Sequence, residues 1–201
     1  MARILSEVGF VHLNVHSSFS LLEGALKIDE LKKLALKDQM PALALTDTNN
    51  LFGALEFSEK MAGAGIQPII GITLSVEPGD QQASQRPMVR PVRPSLVLLG
   101  ATEEGYANLM RLGSMAYVDV PPGEPPHVPL SQILALNEGI ICLTGGPDGL
   151  IDRALRDGQR DLARDRLVTL SEAFGDRLYI ELQRHELDEE RRVEGALLDL
   201  A

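Results

Sequence analysis

The chain has 201 residues, of which 44% are hydrophobic and 24% are charged, and its formal net charge at pH 7 is −10. This is the composition of an ordinary globular protein that can bury one sizeable core, so we expect a single domain over residues 1–201. The negative charge repels phosphate backbones, which argues against non-specific binding of nucleic acid through a basic face.

Apolar periodicity predicts helices and strands that alternate along the chain. A short apolar run over 10–15 is followed by a helix over about 28–40, a strand over 41–46, a helix over 51–64, strands over 68–76 and 95–100, and a helix over 103–117 that Thr102 caps. We then predict a short helix over 131–136 capped by Ser131, a strand over 139–144, a helix over 162–174, a strand over 178–183 and a helix from Glu189 onward. Such alternation predicts a parallel sheet with right-handed crossovers, either a βα-barrel or a doubly wound sheet.

Two proline-rich segments interrupt this alternation and are predicted to be surface loops. The first covers 79–94 and carries Arg86, Arg90 and Arg93, and the second covers 121–129 and contains His127. The three arginines suit contact with phosphate or with an acidic partner, but their composition is also that of a solvated loop. The last residues, 193–201, form a helical pattern with no stop signal, which we interpret as the mark of a fragment of a longer polypeptide.

The sequence also predicts the compartment. Cys142 is the only cysteine and lies in an apolar run, so an intramolecular disulfide is impossible and a buried thiol in a reducing environment is expected. The first ten residues lack the apolar core of an export signal, and no segment has the roughly 18 apolar residues that a membrane span needs. We therefore expect a cytoplasmic protein with no membrane partner.

Polar side chains collect near the predicted carboxyl ends of the strands, where α/β folds place their chemistry. They are His12, Asn14, His16, Glu23, Asp47, Thr48, Thr73, Ser95, Gly146 and His185. Histidine and carboxylate side chains together can hold a hydrolytic metal cluster. Only His16, Glu23 and Asp47, with His12 and His185 nearby, have the required ligand chemistry, so this set is thin for a multinuclear site.

Each of these candidates also has a structural interpretation. His12 fits a half-buried strand, Glu23 a turn and His185 the surface, while Asp47 could equally cap the helix that begins near Leu51. Ser17, Ser18 and Ser20 lie near His16, but the sequence has no Gly-x-Ser-x-Gly nucleophile elbow. It also lacks a P-loop, a dinucleotide-binding glycine motif and the Cys/His spacing of a zinc site.

Several of these blocks resemble the start of bacterial DNA polymerase III alpha subunits, the polymerase-and-histidinol-phosphatase (PHP) domain. The blocks cover 10–24 (FVHLNVHSSFSLLEG), 41–53 (PALALTDTNNLFG), 65–71, 96–100, 105–112, 143–146 and 179–185, in order along nearly the whole chain. The resemblance implies a distorted parallel βα-barrel of seven strands with its metal site at the carboxyl ends. The barrel would be truncated here before its C-terminal end, because a final Asp-x-His motif of the family should follow residue 201.

Compared with the family pattern, most metal ligands are replaced. The His-x-His motif reads Asn14-Val15-His16, and the acid before glycine is Glu23. The Asp-His motif reads Asp47-Thr48, and the third acidic position is Thr73. A histidine position of the family aligns with Ser95, and a cysteine position aligns with Gly146. His16, Glu23 and Asp47 are the retained ligands of a vestigial site. We therefore predict no bound metal and no catalytic residue in this chain.

The resemblance also implies the context in which the domain works. The parent chain would be a DNA-directed DNA polymerase with Mg²⁺ in an active site outside these residues, and it would contact DNA elsewhere than through this acidic domain. The implied partners are the rest of the alpha subunit and the proofreading exonuclease subunit, for which the domain would be a scaffold. One alternative is an active metal-dependent phosphoesterase or 3′–5′ exonuclease. Another is the PHP domain of an error-prone translesion polymerase, although Ser18-Phe-Ser-Leu-Leu-Glu-Gly-Ala-Leu-Lys27 is closer to the replicative form.

Overall fold

The computed structural model describes residues 9–79 and 93–201. Within these ranges the strands are β1 (Ala42–Leu45), β2 (Gln67–Glu77), β3 (Ser95–Gly100), β4 (Val128–Pro129), β5 (Ile140–Leu143) and β6 (Leu178–Tyr179). The helices are α1 (Ile28–Lys37), α2 (Ala54–Ala62), α3 (Glu103–Val118), α4 (Leu130–Ala135), α5 (Leu150–Arg156), α6 (Arg160–Phe174) and α7 (Asp188–Leu200). None of these helices is both long and apolar enough to cross a membrane.

The described strands form one mixed sheet. Its order is β1-β2-β3-β5-β6, and β4 pairs with the end of β2. The pairs β1–β2, β2–β4 and β5–β6 are parallel, whereas β3 runs antiparallel to both β2 and β5. The prediction of an α/β fold with parallel strands is confirmed, but the prediction that every strand is parallel is wrong because β3 is reversed at the centre of the sheet.

The centre of the sheet is buried on both faces. Leu96 and Leu98 of β3 pack in the large core with residues of α3 and α5–α7, while Val97 and Leu99 face a second small cluster with Ala44. All four β3 leucine and valine side chains are 3% exposed or less. Fully burying an apolar side chain of this size contributes about 1.5–3 kcal/mol, so this strand anchors both layers.

The segment 12–15 has hydrogen bonds to both edges of the sheet. On one side, Ala44 donates its backbone N–H to the carbonyl of His12 at 2.9 Å, beside β1. On the other side, Asn14 Nδ2 donates to Oε1 of Glu181 at 2.8 Å, just beyond β6. The segment therefore links the two ends of a strongly curved sheet.

Several boundaries differ from the sequence predictions for local reasons. Thr102 caps α3, as predicted, by accepting the N–H of Gly105. Ser131 is not a cap, because α4 begins one residue earlier, with Pro129 at its N-cap position. The predicted strand over 178–183 ends at Tyr179, where the chain leaves the ladder, and α5 was not predicted.

The two proline-rich segments turn out to be unlike each other. Most of the first, including Arg86 and Arg90, lies outside the described residues. Arg93 is described and pairs within the chain, with Glu77 at 3.0 Å and Glu124 at 2.9 Å. The second segment is a surface loop only in part, because it ends in β4 and His127 is buried with its Nδ1 2.9 Å from the carbonyl of Pro125.

Candidate functional site

The topology brings most of the predicted site residues to one end of the sheet, which we call the mouth. Thr46, Asp47 and Thr48 follow β1, and Thr73 lies in β2 opposite Thr48. Because β3 is antiparallel, its first residue rather than its last, Ser95, lies at this same end. The mouth is therefore the place where β1, β2, β5 and β6 end and β3 begins.

A chain of polar contacts crosses the mouth from His16. Its Nε2 lies 3.1 Å from the hydroxyl of Thr73, and that hydroxyl donates to the carbonyl of Thr46 at 2.9 Å. The Nδ1 of His16 lies 3.4 Å from Oε2 of Glu23, and the same carboxylate oxygen accepts a short hydrogen bond from the hydroxyl of Thr48.

Asp47 lies at the centre of a second network and is 2% exposed. Its Oδ1 accepts the backbone N–H of Ser17 at 2.7 Å and the hydroxyl of Ser20 at 2.6 Å, and its Oδ2 accepts the hydroxyl of Ser17 at 2.8 Å. Helix α2 begins at Ala54 after Gly53, so Asp47 does not cap it. The carboxylate instead holds the loop 17–24 against the end of β1.

A third network fills the other half of the mouth. Oε1 of Glu181 accepts hydrogen bonds from Asn14 Nδ2 at 2.8 Å and from Gln183 Nε2 at 2.6 Å. Asn14 accepts in turn from the hydroxyl of Thr46 at 2.9 Å. Gly146 leaves room for Gln183, because a β-carbon at Gly146 would lie 2.6 Å from its amide nitrogen.

Three of the predicted candidates lie outside these networks. Ser95 makes one long contact, from its hydroxyl to the carbonyl of Asp148 at 3.4 Å. His12 is exposed and its ring packs edge-on against Phe10, with 4.8 Å between the centroids. His185 is also exposed, and its Nδ1 lies 2.8 Å from Oε1 of Glu190.

Glu190 explains the position of His185. Its Oε2 accepts the backbone N–H groups of His185, at 2.7 Å, and Leu187, at 3.3 Å, at the beginning of α7. Burial alone would raise the pKa of Glu190, but these hydrogen bonds, with that of the imidazole, hold the pKa below its ordinary value. His185 therefore belongs to a helix terminus rather than to the mouth.

Two carboxylates near the mouth each have one buried oxygen without a hydrogen-bond partner among residues 9–79 and 93–201, Oδ1 of Asp152 and Oε2 of Glu181. Asp152 lies on α5 and is 3% exposed. Its burial, and secondarily the negative charge of Glu181, raises the pKa of Asp152 to about 7, although Arg156 acts in the opposite direction. Burial also raises the pKa of the Cys142 thiol well above its usual range, which makes this thiol unreactive.

The sequence patterns missed the residues that complete these networks: Ser17 and Ser20 as partners of Asp47, Glu181 as the partner of Asn14, and Gln183 as the second donor to Glu181. A signal existed for the last two, because they alternate at the end of the last predicted strand. Among residues 9–79 and 93–201, no group of three or more His, Cys, Asp or Glu side chains is placed where it could hold a metal ion.

Comparison with known proteins shows which family and which curated proteins this chain resembles. The model of the PHP domain matches residues 12–185. The DNA polymerase III subunit alpha of Caulobacter vibrioides is 44% identical over 194 residues, which cover 96% of this chain and 17% of that protein. The corresponding subunit of Treponema pallidum is 36% identical over 198 residues, which cover 98% of this chain and 17% of that protein. The chain thus spans about a sixth of the length of these curated relatives.

Among solved structures, an amidohydrolase from Chromobacterium violaceum is 17% identical to this chain. The likeness covers 85% of this chain and 84% of that one, with a TM-score of 0.48. This similarity is too loose to transfer a role to any residue.

Proposed function

Because the chain belongs to the PHP domain family and is homologous to DNA polymerase III alpha subunits over nearly its whole length, we propose that it is the PHP domain of a replicative DNA polymerase. The parent polypeptide would extend DNA in the cytoplasm with Mg²⁺ bound in an active site outside these residues. The net charge of −10 supports a division of labour in which DNA contacts are made elsewhere on the parent. In this setting the curved sheet corresponds to the distorted barrel of the family.

We also infer that the metal site has been lost and that this domain has no phosphoesterase activity. The observation that carries this inference is the carboxylate of Asp47, whose two oxygens are already occupied by three hydrogen bonds from the loop 17–24. Asn14 and Thr73 likewise have protein partners for the groups that face the mouth. A cluster of metal ions needs converging, available imidazole and carboxylate ligands, and this donor set does not fit one.

Elemental analysis of the full-length polypeptide tests the loss of metal. After equilibration with zinc or manganese and removal of free ions, we expect no metal at the mouth. The matched control carries His16→Ala and Asp47→Asn, which removes two of the three retained ligands. About one or more equivalents of metal in the wild type that disappear in this control would establish the competing function, an active metal-dependent phosphoesterase or exonuclease, and hydrolysis of a model phosphodiester would then be expected as well.

Without catalysis, the domain serves as a scaffold that packs on the polymerase core and docks the proofreading exonuclease. Calorimetric titration of the full-length polypeptide with the exonuclease subunit tests the second role, and we expect a saturable complex. No measurable heat and no co-elution at micromolar concentrations would refute it. The translesion alternative is tested on the same preparation by the error rate of primer extension, which we expect to be low when the exonuclease is present.

A further inference from the structure

One surface beside the mouth carries several large apolar side chains that are exposed to solvent. We call it the loop face, and it consists of Phe19, Leu21, Leu22, Phe52 and Leu55. Leu21 and Leu22 are 83% and 107% exposed, and Phe52 and Leu55 are 72% and 73% exposed. Single exposed apolar residues are common on protein surfaces, but a group on two adjoining segments indicates an interaction site.

The two segments of the loop face are fixed to each other. Asn50 donates from Nδ2 to the carbonyl of Phe19 at 3.1 Å, and its Oδ1 accepts the backbone N–H of Phe52 at 3.1 Å. The ring of Phe19 lies against Gly53, where a β-carbon would meet it at 3.0 Å. The networks of Asp47 and Thr48 hold the base of the same loop. The apolar side chains are therefore presented on an ordered support rather than on a loose loop.

Leu22 carries the second observation. Its φ is +67°, a left-handed conformation that costs a residue with a β-carbon about 1–2 kcal/mol. The side chain is fully exposed, so within the described residues no buried apolar surface of Leu22 offsets this cost. Such backbone strain persists only where the surrounding structure holds it and is concentrated at functional sites, which supports a role for this exposed side chain in an interaction.

We propose that the loop face is the surface on which this domain packs against the remainder of its own polypeptide. This inference rests on the proposed function, and its physical basis is that the chain spans about a sixth of its polymerase relatives, so most of the parent lies outside it. A covalently attached partner is present at a high effective concentration. Permanent interfaces are also richer in apolar side chains than transient ones, which fits a patch made of leucine and phenylalanine.

Thiol labelling of the full-length polypeptide tests the proposal. Leu22→Cys and, separately, Leu55→Cys place a reactive group on the loop face. Val118→Cys is the matched control, because Val118 is a 78% exposed apolar residue on α3 and belongs to neither segment of the loop face. The only native cysteine of the domain is buried, so it adds little background. Modification of each peptide is followed by mass spectrometry. We expect both loop-face thiols to react at least about tenfold more slowly than the control, at every protein concentration and without any partner.

Equal labelling rates at the three positions would overturn the proposal. Protection that grows with protein concentration would assign the face to a second copy of the chain, and protection only after addition of the exonuclease would assign it to that subunit; either result overturns the proposal as well. Primer extension on the same preparations separates this failure from a failure of the proposed function. A polypeptide that polymerises DNA but leaves Leu22→Cys reactive refutes only the loop-face inference.

Discussion

Replacing Asp152 by asparagine is expected to stabilise the protein above neutral pH. The carboxyl is buried on α5 with one oxygen unpartnered and Glu181 facing it, so the ionised form is unfavourable. Burial first, and the charge of Glu181 second, raises the pKa of Asp152 from 3.8 to about 7. The amide of Asp152→Asn has the shape of the protonated acid but cannot ionise.

The magnitude follows from proton linkage. Below about pH 4 both the folded and unfolded states are protonated, and Asp152 causes no loss of stability. As the pH rises towards 7 the unfolded state releases its proton first, so the free energy of unfolding falls by about 1.4 kcal/mol per pH unit. The penalty then levels off at about 4 kcal/mol above pH 7. Between pH 5 and pH 8 the wild type should lose about 3 kcal/mol relative to Asp152→Asn.

Urea unfolding of the wild type and Asp152→Asn from pH 5 to pH 8 measures this difference directly. Other titrating groups cancel because only the difference between the two proteins is used. The control is Asp165→Asn, which changes an exposed aspartate on the neighbouring helix α6 and is measured over the same pH range. A flat difference for Asp152→Asn would show that Asp152 is not held in its neutral form, and the reasoning would fail.

Five further substitutions, two of them matched controls, test the roles of single residues through the same urea unfolding. Asp47→Ala should cost about 3 kcal/mol or more, because it leaves three buried donors without their charged acceptor. Gly105→Ala should destabilise the protein by several kcal/mol, since its β-carbon would lie 1.9 Å from a backbone carbonyl oxygen. Its control is Gly113→Ala on the same helix, where the nearest contact of the β-carbon is at 3.4 Å. This substitution should be neutral or stabilising by up to about 1 kcal/mol. Thr102→Ala should cost about 1 kcal/mol by removing the cap of α3, and Ser131→Ala should cost almost nothing; equal costs within either pair would contradict the structure.

Periodicity predicted most of the fold because its signal is local. The strand Ser95–Gly100 and the cap at Thr102 are confirmed, as each depends on neighbours in the sequence. The direction of β3 could not be predicted in this way, since a buried apolar run reads the same in a parallel and an antiparallel pair. The length of β6 was also misjudged, because alternation continues through Glu181 and Gln183 although the backbone has left the ladder after Tyr179.

The sequence indicated which polar residues lie at the ends of the strands, but not the hydrogen bonds between them. Strand ends identified Asp47 and Asn14, because the end of an α/β sheet gathers polar residues whatever they do there. Their partners could not be found from the sequence, since Ser17 lies thirty residues before Asp47 and Glu181 lies 167 residues after Asn14. Spacing along the chain carries no information about such contacts. The resemblance to the family supplied the list of aligned positions, and the structure supplied the hydrogen bonds that the residues at several of these positions make.

These hydrogen bonds make the proposed loss of metal hard to reverse by single substitutions. Thr73→Glu would place a buried carboxylate beside His16, in addition to the exposed one of Glu23, and would remove the hydroxyl that donates to the carbonyl of Thr46. A side chain at Gly146 would meet Gln183 at 2.6 Å and would have to adopt a φ of +56°, which favours glycine. A ligand restored at either of these two positions would thus break a contact of the present network before any metal could compensate for it. If the metal site has been lost as proposed, its return at Thr73 or Gly146 therefore requires a compensating change at Thr46 or Gln183, respectively.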